Sequence, residues 1–243
     1  MGQTGAGSEE RCDPPPARRL VQLGNSFGVP QSRGHIAIAA GADAFIPDYR
    51  LAPEHPFPAA VKDAEACYRG LVDRGIKTIA LTGDSAGGNL ALVLLSIATA
   101  QAGSARIFPE GAAVLSPVTD LALTGKSFET RAQADPYFVN SQAAGLVRSY
   151  LGENDPKNPL ASPLYGDLAG LPPVRVHVGD DEVLLDDSRR YVERAVAAGV
   201  DAKLDIWMGM PHGFVGSVRN LHAANQALRA IGTFLNDLLE GAR

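Results

Sequence analysis

The sequence predicts an α/β fold in which a mostly parallel sheet is flanked by helices. Short apolar segments with strand character alternate along the chain with longer segments whose apolar residues recur every three or four positions. One strand, turn and helix unit carries the motif Gly83-Asp-Ser-Ala-Gly87 at its turn. A chain of 243 residues with 45% hydrophobic residues can bury one sizeable core. We therefore expect one α/β domain.

The N-terminal residues give a weaker pattern than the rest of the chain. Residues 1–32 are rich in Gly, Pro, Ser and charged residues, so neither a helical nor a strand period can be counted. We predict a loose N-terminal segment there and the α/β domain over residues 33–243.

The α/β domain divides into two runs of elements with an interruption between them. The first run consists of a helix at 34–41, a strand at 44–49, a proline-rich loop at 50–58, a helix at 59–73, a strand at 76–81, a helix at 89–100 and a strand at 111–116. Prolines interrupt the pattern over residues 118–172, where we predict a lid-like insertion with one helix at 141–150. The second run consists of a strand at 174–178, a helix at 186–198, a strand at 202–207 and a helix at 220–239.

Composition excludes several classes of protein. The net charge of −5 and the scattered basic residues argue against a nucleic-acid-binding groove, which needs a clustered basic face. No stretch reaches the roughly 18 uninterrupted apolar residues of a membrane span, and the first residues lack the pattern of a signal peptide. Two cysteines do not make a disulfide framework, so we expect a cytoplasmic protein. We expect no metal and no cofactor.

Ser85 is the candidate nucleophile. Glycines two residues before and after it allow a strand to reverse sharply into a helix, which leaves the serine hydroxyl exposed above the sheet edge. The first amides of the following helix, that of Ala86 among them, have no partner inside the helix and can bind a developing oxyanion. The alternative is a serine that only caps the helix N-terminus.

A serine hydroxyl needs a base, and His212 is the candidate. It lies in a glycine- and proline-containing loop directly after the last predicted strand, where its side chain can reach over the carboxyl edge of the sheet. A loop-capping role is the alternative. His177 lies inside an apolar strand and is expected in the core. The remaining histidines are expected at surface or structural positions: His35, His55 and His222.

An acid must fix the tautomer of that histidine, and the loop after the strand at 174–178 offers several carboxylates. They are Asp180, Asp181, Glu182, Asp186 and Asp187. The cluster does not match a calcium-loop spacing, and it can also be a solvated turn and helix N-terminus. The order serine, acid, histidine along the chain is that of the α/β-hydrolases.

Three motifs along the chain belong together: Asp48-Tyr-Arg-Leu-Ala-Pro-Glu-His-Pro56, Gly83-Asp-Ser-Ala-Gly-Gly88 and Gly209-Met-Pro-His-Gly-Phe214. In this combination they resemble the hormone-sensitive-lipase-like esterases of bacterial family IV, within the α/β-hydrolase superfamily. The resemblance implies an α/β-hydrolase fold, a catalytic domain over 33–243 that hydrolyses small short-chain esters, and a homodimer built on the last strand and helix. It implies that Arg50 and Glu54 brace the loop beneath the site.

The resemblance also assigns the acid and part of the oxyanion site. The family motif Asp-Pro-Leu-x-Asp-Glu falls in register on Glu182-Val-Leu-Leu-Asp-Asp187, which places the acid at Glu182, with Asp181 in reserve. The family's His-Gly-Gly-Gly stretch corresponds to 21–24, where only Gly24 remains, so the oxyanion donors are expected to be Ala86 and Gly24. We expect the N-terminal cap and first strands to be missing or altered.

Two main functions follow from these observations, and the same triad also leaves amidase or acyltransferase chemistry open as a third. The first is a serine carboxylesterase that works through a Ser85, His212 and Glu182 triad and an acyl-enzyme intermediate. The second is a catalytically weak or silent α/β-hydrolase-fold protein that binds a small molecule because its oxyanion site is incomplete.

Overall fold

Six parallel strands form one sheet in the computed structural model, which describes residues 18–24, 30–101, 108–137 and 140–241. The strands are β1 (Arg18–Leu23), β2 (Asp43–Phe45), β3 (Thr78–Asp84), β4 (Ala112–Leu115), β5 (Val174–Gly179) and β6 (Ala202–Trp207). Their order across the sheet is β2, β1, β3, β4, β5, β6, and every neighbouring pair is parallel. All carboxyl ends therefore meet at one edge, which is where open parallel sheets place their sites.

Helices cover both faces of this sheet, as the alternating pattern predicts. They are α1 (Pro30–Ala39), α2 (Ala59–Asp73), α3 (Ala86–Ala100), α4 (Ser127–Thr130), α5 (Asn140–Leu151), α6 (Leu185–Ala197) and α7 (His222–Gly241). Two short 3₁₀ turns lie at Pro163–Tyr165 and Phe214–Ser217. The α/β class predicted from the sequence is confirmed.

Successive residues of a strand point to opposite faces, and this divides the core into two parts. Val21 and Leu81 pack with α2, α3 and α6 on one face. Leu20 and Ala80 pack with α1 and α7 on the other face. Helix α3 lies against the middle of the sheet under other elements, and ten of its fifteen residues are buried. The strand and helix that flank Ser85 are therefore among the most enclosed elements of the described fold.

The prediction of a loose segment over residues 1–32 is wrong where the structure describes it. Strand β1 occupies Arg18–Leu23, and α1 begins at Pro30. The strand was missed because its stability comes from distant partners: β1 pairs with β2 on one side and β3 on the other. The strand also begins with two arginines, which weaken the apolar pattern, although its last four residues are buried.

Other elements agree with the sequence to within a few residues. Helix α2 and strand β6 have the predicted bounds. Strand β2 ends at Phe45, earlier than predicted, because Pro47 lacks the N–H that a strand ladder needs. Helix α3 begins three residues earlier than predicted, directly after Ser85.

The insertion over 118–172 is fastened to the core through polar contacts. The Asn89 side-chain amide donates to the carbonyls of Val118 (2.8 Å) and Ala161 (2.7 Å), which lie at the start and near the end of the insertion. Asp120 is fully buried and forms an ion pair with Arg190 on α6 at 2.9 Å. The insertion is thus held on α3 and α6, and a lid function for it stays a prediction.

Asp187 is a fully buried carboxyl in the first turn of α6. Its Oδ2 accepts the backbone N–H groups of Thr119 (2.7 Å) and Asp120 (2.9 Å), while Oδ1 has no hydrogen-bond partner among the described residues. Burial, only partly offset by these two amides, raises the pKa of Asp187 to about 7. The folded protein therefore holds a proton on this group at pH values where the unfolded chain releases it.

Asp187→Asn should change how stability depends on pH. In the unfolded chain the carboxyl ionises near its ordinary pKa of about 3.9, so between about pH 4 and pH 7 the folded state binds the extra proton and the wild type loses stability as the pH rises. Asparagine does not titrate. The free energy of unfolding of the variant minus that of the wild type can be measured by urea unfolding at each pH. This difference should shift by roughly 3 kcal/mol in favour of the variant from about pH 4.5 to pH 7. A difference that stays constant with pH would contradict this expectation.

Candidate active site

Ser85 occupies a sharp turn between β3 and α3 with a strained backbone. Its φ of 58° and ψ of −118° are rare for a residue that carries a Cβ atom and cost about 1–3 kcal/mol. The flanking glycines make the turn possible. A Cβ atom on Gly83 would lie 2.2 Å from the carbonyl oxygen of Gly87, and one on Gly87 would lie 2.1 Å from that of Leu23. Both distances are shorter than any real contact, so these positions require glycine.

The strained conformation is held in place by neighbouring backbone. The Ser85 N–H donates to the carbonyl of Leu115 at the end of β4 (2.9 Å), and its own carbonyl accepts from Asn89 (3.0 Å) and Val118 (3.3 Å). Ser85 stands at the N-cap position of α3, yet its side chain makes no capping hydrogen bond within the described residues. The capping role considered from the sequence is therefore not the one that this serine performs.

The two expected oxyanion donors lie at the same turn. Ala86 is the first residue of α3, so its N–H has no acceptor inside the helix. Gly24 directly follows β1, and its Cα atom lies 2.7 Å from the position that a Cβ atom on Gly87 would occupy. The backbone of Gly24 thus runs against the first turn of α3. The continuation of that loop, residues 25–29, lies outside the described residues.

His212 and Glu182 are brought together from loops 30 residues apart. Glu182 Oε2 lies 2.8 Å from His212 Nδ1, with the Glu182 side chain fully buried and the His212 side chain 13% exposed. The His212 loop follows β6, and Gly213 supports it with a φ of 70°. The acid that the sequence register selected is therefore the one that contacts the histidine.

The loops that carry Glu182 and His212 are in direct backbone contact. The carbonyl oxygen of Met210 lies 1.9 Å from where a Cβ atom on Gly179 would stand, so only glycine allows this approach. The same carbonyl accepts the N–H of Asp181 at 3.2 Å, and Asp180 Oδ1 accepts the N–H of Gly209 at 2.5 Å. These contacts fix the two loops relative to each other.

Two further donors orient the Glu182 carboxylate, and one of them, Ser116, was not identified from the sequence. Ser116 Oγ donates to Oε1 at 2.7 Å, and the Gly179 N–H donates to the same oxygen at 2.6 Å. Ser116 is buried and has a φ of 42°, an unusual value for serine. Its position directly after β4, at the edge where the other site residues gather, was the available signal. With His212 on Oε2, the carboxylate has no freedom to rotate.

Several acidic groups set the electrostatics of His212. Burial lowers the pKa of the imidazole, but the hydrogen bond and charge of Glu182, together with the charges of Asp84 and Asp135, outweigh it and raise the pKa above its ordinary value. Asp84 directly precedes Ser85, and the loop that carries His212 follows β6 at the same edge of the sheet. The surroundings of His212 therefore favour the imidazolium ion.

The other carboxylates of the acidic loop have separate contacts. Asp186 Oδ2 accepts the N–H of Ser127 at 3.0 Å, and Asp187 holds the start of the insertion as described. Asp181, the reserve acid, donates its backbone N–H to the carbonyl of Met210 in the histidine loop. The acidic residues of this loop thus make separate contacts, and Glu182 is the one that is bonded to His212.

Two further expectations concern His177 and the loop at Arg50. His177 is 2% exposed in β5, as expected for a core residue, and burial lowers its pKa to about 4. Arg50 forms two side-chain hydrogen bonds with Asp63 on α2, at 2.9 and 2.7 Å, which ties down the proline-rich loop. This contact is consistent with a bracing role for Arg50. Glu54 is exposed.

Comparison with known proteins identifies the class of this chain. A family model described as alpha/beta hydrolase fold matches residues 29–216. An acetyl-hydrolase of Streptomyces hygroscopicus is 39% identical over 227 residues, which cover 90% of this chain and 75% of that protein. The chain therefore belongs to the α/β-hydrolase family.

Solved structures place it more narrowly. An esterase from the bacterial hormone-sensitive lipase family is 42% identical with a TM-score of 0.85, and EstE5 soaked by p-nitrophenyl butyrate is 38% identical with a TM-score of 0.86. Each match covers 93% of this chain and 79% of the other. Within the family, the chain is a member of the hormone-sensitive-lipase-like group.

The described residues offer neither a membrane-spanning helix nor a metal-binding cluster. No helix in the described part of the chain combines the length and the apolarity needed to cross a bilayer. Residues 18–24, 30–101, 108–137 and 140–241 contain no group of three or more His, Cys, Asp or Glu side chains placed to hold a metal ion.

Proposed function

We propose that the protein is a serine carboxylesterase that hydrolyses small short-chain esters, with Ser85 as nucleophile, His212 as base and Glu182 as the orienting acid. The observation that carries this proposal is the 2.8 Å contact between Glu182 and His212 at the same edge of the parallel sheet as the strained serine turn. A serine in such a turn, followed by a helix N-terminus, matches the geometry that acyl transfer requires.

In this proposal, acylation begins with attack by Ser85. Because His212 Nδ1 donates to Glu182, its Nε2 takes the proton from Ser85 Oγ as that oxygen bonds to the ester carbonyl carbon. The carbonyl oxygen gains the negative charge, and the amides of Ala86 and Gly24 stabilise it. The intermediate collapses as the bond to the alcohol oxygen breaks, and His212 returns the proton to that oxygen. The acyl group stays on Ser85.

Deacylation repeats these steps with water. His212 takes a proton from the water molecule as its oxygen attacks the acyl carbon, and then gives that proton to Ser85 Oγ when the acid leaves. The raised pKa of His212 suits a group that must be protonated in every intermediate. No metal or cofactor takes part in these steps.

The relatives support the substrate class. One is an acetyl-hydrolase, and another was soaked by p-nitrophenyl butyrate, so both names point to short acyl groups. Assembly into a homodimer stays a prediction. It is supported by the position of β6 at one edge of the described sheet, because an edge strand can pair with a strand of a second copy.

A fluorophosphonate reagent tests the proposal, because a serine that is activated by a base displaces its fluoride and becomes phosphonylated. We expect stoichiometric labelling with loss of ester hydrolysis, and mass spectrometry of the digested protein should locate the label on Ser85. Binding of an ester analogue without labelling or turnover would favour the alternative, a silent small-molecule-binding protein. A label on another serine would refute the assignment of Ser85.

A further inference from the structure

Asp135 is a buried carboxylate of the insertion that reaches the acid loop. It is 6% exposed and lies between α4 and α5. Its Oδ2 accepts the N–H of Val183 at 3.0 Å, and its Oδ1 accepts the N–H of Tyr137 at 2.9 Å. Val183 directly follows Glu182, so Asp135 holds the backbone next to the carboxylate that bonds His212.

The same stretch of the acid loop is held by a second residue of the insertion. Ser127 Oγ donates to the carbonyl of Val183 at 2.5 Å and accepts the N–H of Asp186 at 3.0 Å. Both polar groups of the Val183 backbone are therefore bonded to the insertion. The insertion fixes where Glu182 stands, even though it supplies no member of the triad.

Asp135 also acts on His212 through its charge. The charges of three carboxylates raise the pKa of His212: Glu182 from the acid loop, Asp84 from the end of β3, and Asp135 from the insertion. Asp84 is exposed, so water and salt screen its charge, whereas Asp135 is buried and is screened much less. A buried negative charge stabilises the imidazolium form of His212 relative to the neutral form.

We propose that Asp135 is a positioning residue of this site: it fastens the loop behind Glu182 to the insertion and places a further negative charge against His212. The catalytic consequence rests on the esterase function proposed above. In that function, Asp135 stabilises the imidazolium ion that forms on the way to each tetrahedral intermediate. It does so without touching the substrate.

The test is the pKa of His212, measured by NMR titration of its imidazole signals, which are assigned by their loss in His212→Gln. Asp135→Asn keeps the size of the side chain and one acceptor but removes the charge. We expect the pKa of His212 to fall by about 0.5–1 unit. Asp135→Ser, a second neutral variant with a hydroxyl that can accept one amide, should shift the pKa in the same direction. Asp135→Glu keeps the charge and should keep the pKa near that of the wild type.

Asp120→Asn is the matched control. Asp120 is another buried carboxylate of the insertion that accepts backbone N–H groups, but its charge is paired with that of Arg190 on α6. This variant should lose stability and leave the pKa of His212 unchanged. A pKa that is unmoved in both neutral Asp135 variants would overturn the proposal. So would the failure of both neutral variants to fold while Asp135→Glu folds, because Asp135 would then act on stability alone.

Kinetics provide a separate arm. The acid limb of kcat/KM should move to lower pH in Asp135→Asn by the same amount as the NMR titration. The plateau of kcat should fall more than KM changes, because the lost charge acts on the intermediate. The NMR readout needs no turnover. Absence of ester hydrolysis in the wild type would therefore refute the proposed function, whereas an unchanged His212 pKa would refute the inference about Asp135.

Discussion

Ser85→Ala should reduce the turnover of p-nitrophenyl acetate by about 10⁵-fold or more, because no other group replaces the attacking oxygen. The strained backbone at this turn tolerates alanine no worse than serine, since both carry one Cβ atom. Thermal unfolding should therefore change little, and the fluorophosphonate label should be lost. The expected pattern is a folded protein without activity.

Ser96→Ala is the matched control for this experiment. Ser96 lies on the same helix, α3, and its hydroxyl donates to the carbonyl of Leu92 one turn back. Its replacement should leave kcat and labelling close to wild-type values. Turnover within about tenfold of the wild type in Ser85→Ala would end the assignment of Ser85 as nucleophile, since nucleophile loss in a triad costs several orders of magnitude.

Glu182→Gln should lower kcat by about 10⁴-fold through the tautomer of His212. The Oε1 atom of the new amide can still accept from Ser116 and Gly179, so its NH₂ group must face His212 Nδ1. An NH₂ group donates a hydrogen bond, which forces Nδ1 to accept and places the imidazole proton on Nε2. A histidine in that tautomer cannot take the proton of Ser85.

Asp181→Asn distinguishes the assigned acid from the reserve. The backbone N–H of Asp181 donates to Met210, and this hydrogen bond survives the substitution. The kcat value should therefore stay within about threefold of the wild type, as expected for a residue outside the triad. Steady-state kinetics of both variants on one ester, with circular dichroism as a check of folding, decide the question. A large loss in Asp181→Asn with activity retained in Glu182→Gln would reverse the assignment.

Local sequence was sufficient for much of this architecture. The strand, glycine turn and helix around Ser85 lie within one short segment, so their pattern can be read without knowledge of distant partners. The same holds for α2, whose bounds follow from its apolar spacing and the prolines before it. Glu182 required the family motif, because composition alone offered five neighbouring carboxylates.

Contacts between distant segments could not be predicted in this way. Strand β1 was missed because its pairing partners lie elsewhere in the chain. Ser116 and Asp135 were missed because they act on a loop about 50 to 65 residues away, through single hydrogen bonds that leave no periodic pattern. A serine before a proline, or an aspartate in an irregular segment, occurs at many positions without any functional role. The three-dimensional arrangement is needed to distinguish Ser116 and Asp135 from such residues.

The close approach of Met210 to Gly179 has a consequence for attempts to alter which esters the protein accepts. The two loops share backbone contacts that leave no room for a side chain, so a longer or bulkier loop on either side would displace its neighbour as well. Mutant libraries that diversify these turns would therefore displace Glu182 and His212 relative to each other before they change which esters are accepted.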